Sequence, residues 1–580
     1  MSAIAPQLRA IEAPRTFGWV DVVVMVAVFG ILWSALHFGK GMLVHFDPLA
    51  VQPIDASLRL IPYYAGRTLL RMWIAFAFSL SFAITVGYIA ARSRRARAFI
   101  LPALDVLQSV PVLGFLSATV AAFMALFPGS LLGVECAAIF AIFTGQVWNM
   151  AFGFYHSMVT IPTDMQEAAS SCGLTRWQRF RTVDLPASMH SLIWNSMLSF
   201  GGGWFFVAQS EAISVMNKDI KLPGLGSYMA QAIEHGDDIA AAGAIVAMLA
   251  VILVSDQLVW RPLLAWADRF KIELTESATP PTSWAYNLLR NAYVFTWANA
   301  RLWSPLADAI RRVAARTEPA AYRMSEWQWS ALRRAVVWLV VACIGLEALR
   351  GVLAAAEAVL VAVTWAVLGK IVGLGFLTAL RVAAMTVLAT VVWTPVGVWI
   401  GLHPTIARFA QPVAQVGASF PVNMTFPIVV GFFVANHVSL NWGSILLIAM
   451  GTQWYILFNV IAGAMAIPND LAEAARVYRL RNWNLWRTLI LPAIFPFWVT
   501  GACTAAGGAW NASIVAEFAA WGDTTLEADG LGAYIAAVTK SGDTPLIITS
   551  IAVMSLFVIA MNKLIWRRLY AFAERRFKLD

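Results

Sequence analysis

Long apolar runs alternate with short polar breaks along the whole chain. About 20 apolar residues, rising roughly 1.5 Å each, cross the hydrocarbon core of a bilayer. Such runs fall at 17–38, 69–91, 103–127, 132–154, 192–215 and 239–260, and again at 336–348, 377–402, 413–435, 444–465, 496–518 and 546–566. They are continuous rather than period-two, which disfavours a β-barrel. The pattern predicts an all-α polytopic membrane protein of about twelve transmembrane helices. The run 336–348 is short, and 352–371 reads either as an extra span or as an amphipathic helix. The breaks at 92–97, 176–181, 261–271 and 567–578 are rich in arginine and lysine. The positive-inside rule places all four in the cytoplasm, together with both termini.

Composition removes the other classes. Of 580 residues 60% are hydrophobic and 13% charged, against about 45–50% and about 25% in ordinary soluble chains. Disorder is excluded on the same ground. The net charge of +9 is accounted for by cytoplasmic loops, so no nucleic-acid partner is expected and membrane lipid is. Cys136, Cys172, Cys343 and Cys503 are far apart, indicating neither a zinc site nor a disulfide framework. No cleavable signal peptide is expected, because the first apolar run belongs to a span. The chain holds no G-x-x-x-x-G-K-[ST] and no H-E-x-x-H. It is therefore not expected to cradle ATP or to be an enzyme on its own.

The two sets of runs are copies. Glu167-Ala168-Ala169 returns as Glu473-Ala474-Ala475, 306 positions on, and the same offset pairs Pro162 with Pro468, Leu185-Pro186 with Leu491-Pro492, and Gly201-Gly202 with Gly507-Gly508. It also pairs Glu211 with Glu517, and Gly224-Leu225-Gly226 with Gly530-Leu531-Gly532. Upstream, Thr68 and Arg71 match Thr378 and Arg381 at an offset of 310. Repeats of this length mean duplication. The expected organisation is a first six-helix domain at 1–270, a cytoplasmic linker at 271–333 and a second six-helix domain at 334–580. An even number of spans per half makes the repeat parallel, with a cleft between the halves.

The polar segment 162–187 and its copy 468–493 are the most informative stretches. Thr163 with Gln166 reads as a capping box, and Glu167 as a first-turn acid. Gly173 reads as the left-handed residue that ends the first helix. Leu185, preceding Pro186, is expected to leave the helical region. In the second copy Asn469 is the expected N-cap. Arg479 replaces Gly173, which predicts a differently built turn or a longer first helix. The pattern Glu-Ala-Ala-x3-Gly followed by Leu-Pro resembles the cytoplasmic loop of binding-protein-dependent ABC importer permeases. The duplicated form, with its Gly-Leu-Gly-x-Tyr stretches, is similar to the nitrate/sulfonate/taurine/bicarbonate group.

The resemblance implies a permease of the type I importer fold, resident in a bacterial inner membrane. Glu167, Ala168, Ala169, Gly173, Leu185 and Pro186, with Glu473, Ala474, Ala475, Leu491 and Pro492, would form the loops that dock on two ATPase subunits. Those partners would carry ATP and magnesium, leaving this chain without a cofactor. An extracytoplasmic binding protein would deliver the solute, expected to be a small anion. Pathway candidates are Asn511 and Ser513, with Trp194 and Asn195, by helix position. Glu211 and Glu517 suit a structural or gating role, since paired carboxylates would repel an anion. Arg71 and Arg381 would favour anions if they face the cleft; the competing reading is snorkelling to a headgroup. The alternative function is a six-plus-six secondary transporter driven by an ion gradient.

Overall fold

The computed structural model describes residues 17–46, 54–174, 176–215, 218–270, 283–298, 356–521 and 524–577, with isolated positions between 301 and 354. Eight of the described helices are long and apolar enough to cross a membrane: Trp19–Lys40, Leu58–Arg92, Leu132–Val159, Asp238–Phe270, Trp365–Gly401, Leu440–Met465, Asn482–Ala516 and Thr544–Arg576. A broken pair, Arg94–Leu107 with Val112–Leu126, raises the number to nine. The 27-residue helix Leu185–Glu211 takes the place in the first half that Leu491–Ala516 takes in the second.

The same three-helix stack builds both halves. Helix Ile61–Arg92 packs on Leu132–Val159, which packs on Leu185–Glu211; Trp365–Gly401, Leu440–Met465 and Leu491–Ala516 repeat the order. Lipid supplies no hydrophobic drive between spans, so close approach rests on small residues. Ala75, Ala83, Ala137, Ala138 and Ala141 are accordingly buried. A Cβ at Gly87 would meet Phe154 at 2.9 Å. Helix Trp19–Lys40, by contrast, leaves Val26, Phe29, Ile31 and Leu36 exposed to the lipid. Its buried Asp21 accepts the backbone N–H of Val294 at 2.8 Å, which fastens the short helix Tyr293–Ala298 to the start of the first span.

Two expected single spans are broken. The run 103–127 bends by 97° between Leu107 and Val112. Pro111, which has no N–H to donate, stands at the N-cap of the second piece. The run 413–435 breaks at the matching Pro421, between Pro404–Ser419 and Phe426–Ala435. Most of 336–348 lies outside the described residues. Of 352–371, the part from Trp365 onward belongs to the 37-residue helix Trp365–Gly401, whose N-cap Thr364 accepts the Val367 N–H.

Two short hairpins interrupt the all-α plan. Ala212–Val215 pairs antiparallel with Lys218–Lys221, and Phe518–Trp521 with Thr524–Glu527, in registers Ile213↔Ile220 and Ala519↔Leu526. Each follows the helix ending near Glu211 or Glu517 and leads to a short helix, Leu225–Glu234 or Leu531–Ser541. The hairpins mark the end of the bundle opposite the arginine-rich breaks, called here the far end and the basic end.

Candidate functional site

A cavity of about 430 Å³ lies between the halves. The two broken helices contribute Gln108, Ser109, Ser419 and Phe420 at their unwound points. The helices beginning at Leu185 and Leu491 contribute Trp194, Asn195, Ser199, Gly201, Gly202, Gly507, Gly508 and Asn511. None of the lining residues carries a charge, and Trp148, Phe205, Tyr455, Phe458 and Trp510 add aromatic faces to a wall otherwise rich in amides, hydroxyls and glycines. Unwound backbone at membrane depth is tolerated where it lines such a cavity.

The candidates divide sharply around it. Trp194, Asn195 and Asn511 line the cavity, and Asn511 Oδ1 also accepts the Val112 N–H at 2.9 Å, joining the halves at the helix break. Ser513 does not reach it; its hydroxyl donates to Trp510 O within its own helix at 2.9 Å. The repeated glycine doublets Gly201-Gly202 and Gly507-Gly508 line the cavity, and a Cβ at Gly507 would meet nothing within 4 Å. Gly203 does serve packing, with Gln146 Nε2 at 2.4 Å and Met72 Cε at 2.6 Å from its notional Cβ.

Arg71 and Arg381 face neither the cavity nor the lipid surface. Arg71 is fully buried toward the far end, where Nε and Nη2 donate to Glu135 at 2.5 and 2.7 Å and Nη1 to Glu211 at 2.7 Å. Arg67 donates to the same Glu135 at 2.5 Å. Thr68 donates to Glu211 Oε1 at 2.7 Å and accepts the Leu225 N–H at 2.9 Å, while Gly226 N–H donates to Glu211 Oε2 at 2.7 Å. Two arginines and two glutamates thus cancel in charge and bolt the short far-end helix to three spans. Buried charges persist only when paired and hydrogen-bonded like this.

The second half keeps the bolt and halves its charge. Glu517 accepts from Arg381 at 3.1 Å, from Thr378 at 2.9 Å and from Gly532 N–H at 2.8 Å. Asn441 stands where the first half has Glu135, and accepts from Arg381 Nη2 at 2.8 Å. Leu377 stands where Arg67 was, so one acid and one base disappear together. The repeated Gly-Leu-Gly is explained by space. A Cβ at Gly224 would lie 2.2 Å from the Glu211 carboxyl carbon, and one at Gly226 2.2 Å from Ala208 O. Tyr228, two residues on, donates to Ala56 O at 2.8 Å. Burial pushes that phenol above its ordinary range, so it stays a donor. Sequence reading had passed over Glu135, although a lone carboxylate inside the run 132–154 is a signal in itself.

At the basic end the segments 162–187 and 468–493 project beyond the spans. Helix Thr163–Ser171 starts after Pro162, so Thr163 is its first helical residue rather than its cap. The capping box does not form, and Gln166 Nε2 instead donates to Ile161 O at 2.9 Å. The first-turn acids are Asp164 and Asp470; Glu167 and Glu473 lie one turn later, exposed. Ala168 and Ala474 are exposed beside them, while Ala169 and Ala475 are buried beneath. Helix Asn469–Val477 likewise follows Pro468, so Asn469 is not its N-cap.

The turn after each first helix is the same in both copies. Gly173 has φ +63 and Arg479 φ +51, and Leu174 N–H and Leu480 N–H close back on Ala169 O and Ala475 O at 3.3 and 2.9 Å. The helix does not run on, and the arginine adopts the left-handed conformation itself. That strain costs about 1 kcal/mol. Arg479→Gly is expected to raise the stability of the protein by about that amount and Gly173→Arg to lower it similarly, read as opposite shifts in thermal midpoint in detergent. Equal midpoints would remove the strain argument.

Leu185 does not leave the helical region. The chain passes from Arg176–Arg179 through a π-turn, Phe180–Asp184, into the long helix with Leu185 at φ −69, ψ −47. Trp486–Ile490 makes the same π-turn before Leu491-Pro492. Widening the turn by one residue accommodates the N–H that Pro186 and Pro492 lack.

Residues 83–259 and 393–579 each match the family of binding-protein-dependent transport system inner membrane components. Among curated proteins, the chain is 29% identical over 150 residues to a riboflavin transport system permease protein of Chloroflexus aurantiacus, covering 26% of this chain and 52% of that one. It is 28% identical over 177 residues to a nitrate import permease protein of Synechococcus elongatus, covering 30% and 58%. A bicarbonate transport system permease protein of the same organism is 36% identical over 74 residues, 13% and 27% of the two chains. The chain spans about half the length of the first two relatives. With the family matched twice, over more than half of its length, and with two copies of one helical stack enclosing a shared cavity, this multi-pass membrane protein belongs to the binding-protein-dependent transport permeases, in duplicated form.

Proposed function

We propose that this chain is the membrane-spanning subunit of an ATP-binding-cassette importer whose two fused halves, 1–270 and 334–580, enclose the translocation pathway and are joined by the linker 271–333. The segments 162–187 and 468–493 dock on two separate ATPase subunits, which hold ATP and magnesium; this chain binds no cofactor. An extracytoplasmic binding protein supplies the solute, and the basic end with both termini is cytoplasmic, in a bacterial inner membrane. Helix continuity carries the reading. In each half one helical element runs from the second helix of the segment, which begins at Arg176 or Asn482 just after the turn that ends the Glu-Ala-Ala helix, through a π-turn and along the cavity wall to the far-end carboxylate. Movement of the segment is thereby transmitted to both the cavity and the far end, as alternating access requires.

The relatives named for nitrate and bicarbonate favour a small anion as solute. Its charge would be met by the neutral amides and hydroxyls of Asn195, Asn511 and Ser199 rather than by a fixed cation. A flat organic solute is the second reading, favoured by the aromatic faces of the wall and by the relative named for riboflavin. Purified alone, the chain is expected to hydrolyse no ATP. Glu167→Lys and Glu473→Lys, each at an exposed site, are expected to lower ATPase-subunit co-purification by roughly three- to tenfold. Unchanged co-purification in both variants, or uptake driven by a proton gradient without an ATPase, would overturn the assignment.

A further inference from the structure

The two basic-end segments share a backbone but not a surface. Where the first copy ends its helix with Ser171-Cys172 before Gly173, the second has Val477-Tyr478 before Arg479. Val477 and Tyr478 are each 78% exposed. Arg476 and Arg481 flank them, at positions held by Ser170 and Thr175 in the first copy.

The mountings differ in parallel. Asp184 is fully buried and ion-paired with Arg92 and Arg179. The equivalent positions in the second half are Ile490, Leu402 and Leu485. The first segment is therefore charged at its root and small at its tip, whereas the second is apolar at its root and large, apolar and basic at its tip.

The tip of the second copy stands past the end of the span Leu440–Met465, on a helix that also bears Asp470, Glu473 and Arg476. Exposed tyrosine and arginine beside an aliphatic residue are the types that dominate protein interfaces when they enter a pocket. The matching serine, cysteine and glycine bury little apolar area. We propose that the second segment is the principal anchor for an ATPase subunit and the first a weaker seat, and that the anchoring groove on the partner is apolar with an acidic rim. This rests on the reading that both segments dock ATPase subunits.

Co-purification of the ATPase subunits with the full chain in detergent separates the possibilities. Val477→Ser with Tyr478→Cys writes the first tip onto the second copy, and is expected to cut the retained ATPase at least about tenfold. Ser171→Val with Cys172→Tyr, the converse, is expected to leave retention unchanged or raise it. All four positions are exposed, and an unchanged thermal midpoint and monodisperse elution verify folding. If the 477/478 variant retains the ATPase while Glu473→Lys loses it, the anchor assignment fails and the docking reading stands. If the converse variant loses as much ATPase as the 477/478 variant, the inequality of the two seats is refuted. If neither these variants nor the glutamate reversals change retention, docking through these segments fails as well.

Discussion

Arg71→Ala is expected to abolish recovery of folded protein, or to lower its stability by about 3–5 kcal/mol, the cost of leaving buried charges without their partner. The side chain is fully buried between two carboxylates that are themselves buried. Its loss leaves Glu211 without a counter-charge, held only by the Thr68 and Gly226 donors, and leaves Glu135 only Arg67. Arg381→Ala is expected to cost less, because Glu517 keeps donors from Thr378, Gly532 and Ala533, and Asn441 carries no charge to strand. The decisive comparison is the double variant Arg67→Leu with Glu135→Asn, which writes the second half's arrangement into the first. It removes one charge of each sign and is expected to be far milder than Arg71→Ala. Yield and thermal midpoint in detergent report all three. An Arg71→Ala protein as stable as the parent would show that the bolt is ornamental.

Closing the cavity is expected to have a comparably large effect on transport without one on assembly. Gly202 and Gly508 lie on its wall, and a Cβ at Gly202 meets only Tyr455 Oη, at 3.7 Å. Gly202→Trp would therefore direct an indole into the open volume instead of into packed helix. ATP-driven uptake is expected to fall at least about tenfold, as it should when a pocket of this size is filled. Retention of the ATPase subunits is expected to stay near the parent's. A second readout is independent of the solute. With Cys136, Cys172, Cys343 and Cys503 replaced by serine or alanine, Thr504→Cys on the same wall should react with a small thiol reagent, and adding Gly202→Trp should suppress the reaction. Undiminished uptake and labelling would place the pathway elsewhere.

The duplication, the spans and the exposed segments were legible in the sequence because each rests on a pattern that survives without tertiary information: twenty-residue apolar runs, a constant offset, and a repeated Glu-Ala-Ala. The helix breaks were not. A proline inside an apolar run is compatible with a kinked continuous span, and only the cavity against Ser109 and Ser419 makes unwinding affordable. The hairpins escaped notice because four-residue strands carry little periodic signal. Capping was misplaced by one residue, since Pro162 and Pro468 take the N-cap positions themselves. The fate of Arg71 and Arg381 turned on residues sixty or more positions away. A membrane arginine reads alike from sequence whether it lines a pathway or closes an ion pair; Glu135 and Glu211 decide between them here.

Two of the hydrogen bonds that cross between the halves have no counterpart at the positions related to them by the repeat. Asn511 accepts from Val112, yet the positions related to them by the repeat are Phe205 and Val422, which offer no side-chain acceptor. Asn423 donates to Gln209 at 3.2 Å, while their counterparts are Leu113 and Val515. Neither half can therefore pair with a second copy of itself through these contacts. Covalent fusion has let the two faces diverge as lock and key, because a change on one side never has to suit its own mirror position. Split at the linker and produced as two polypeptides, the halves should recognise each other and refuse self-association, giving a one-to-one pair whose stoichiometry the intact chain enforces by its single backbone.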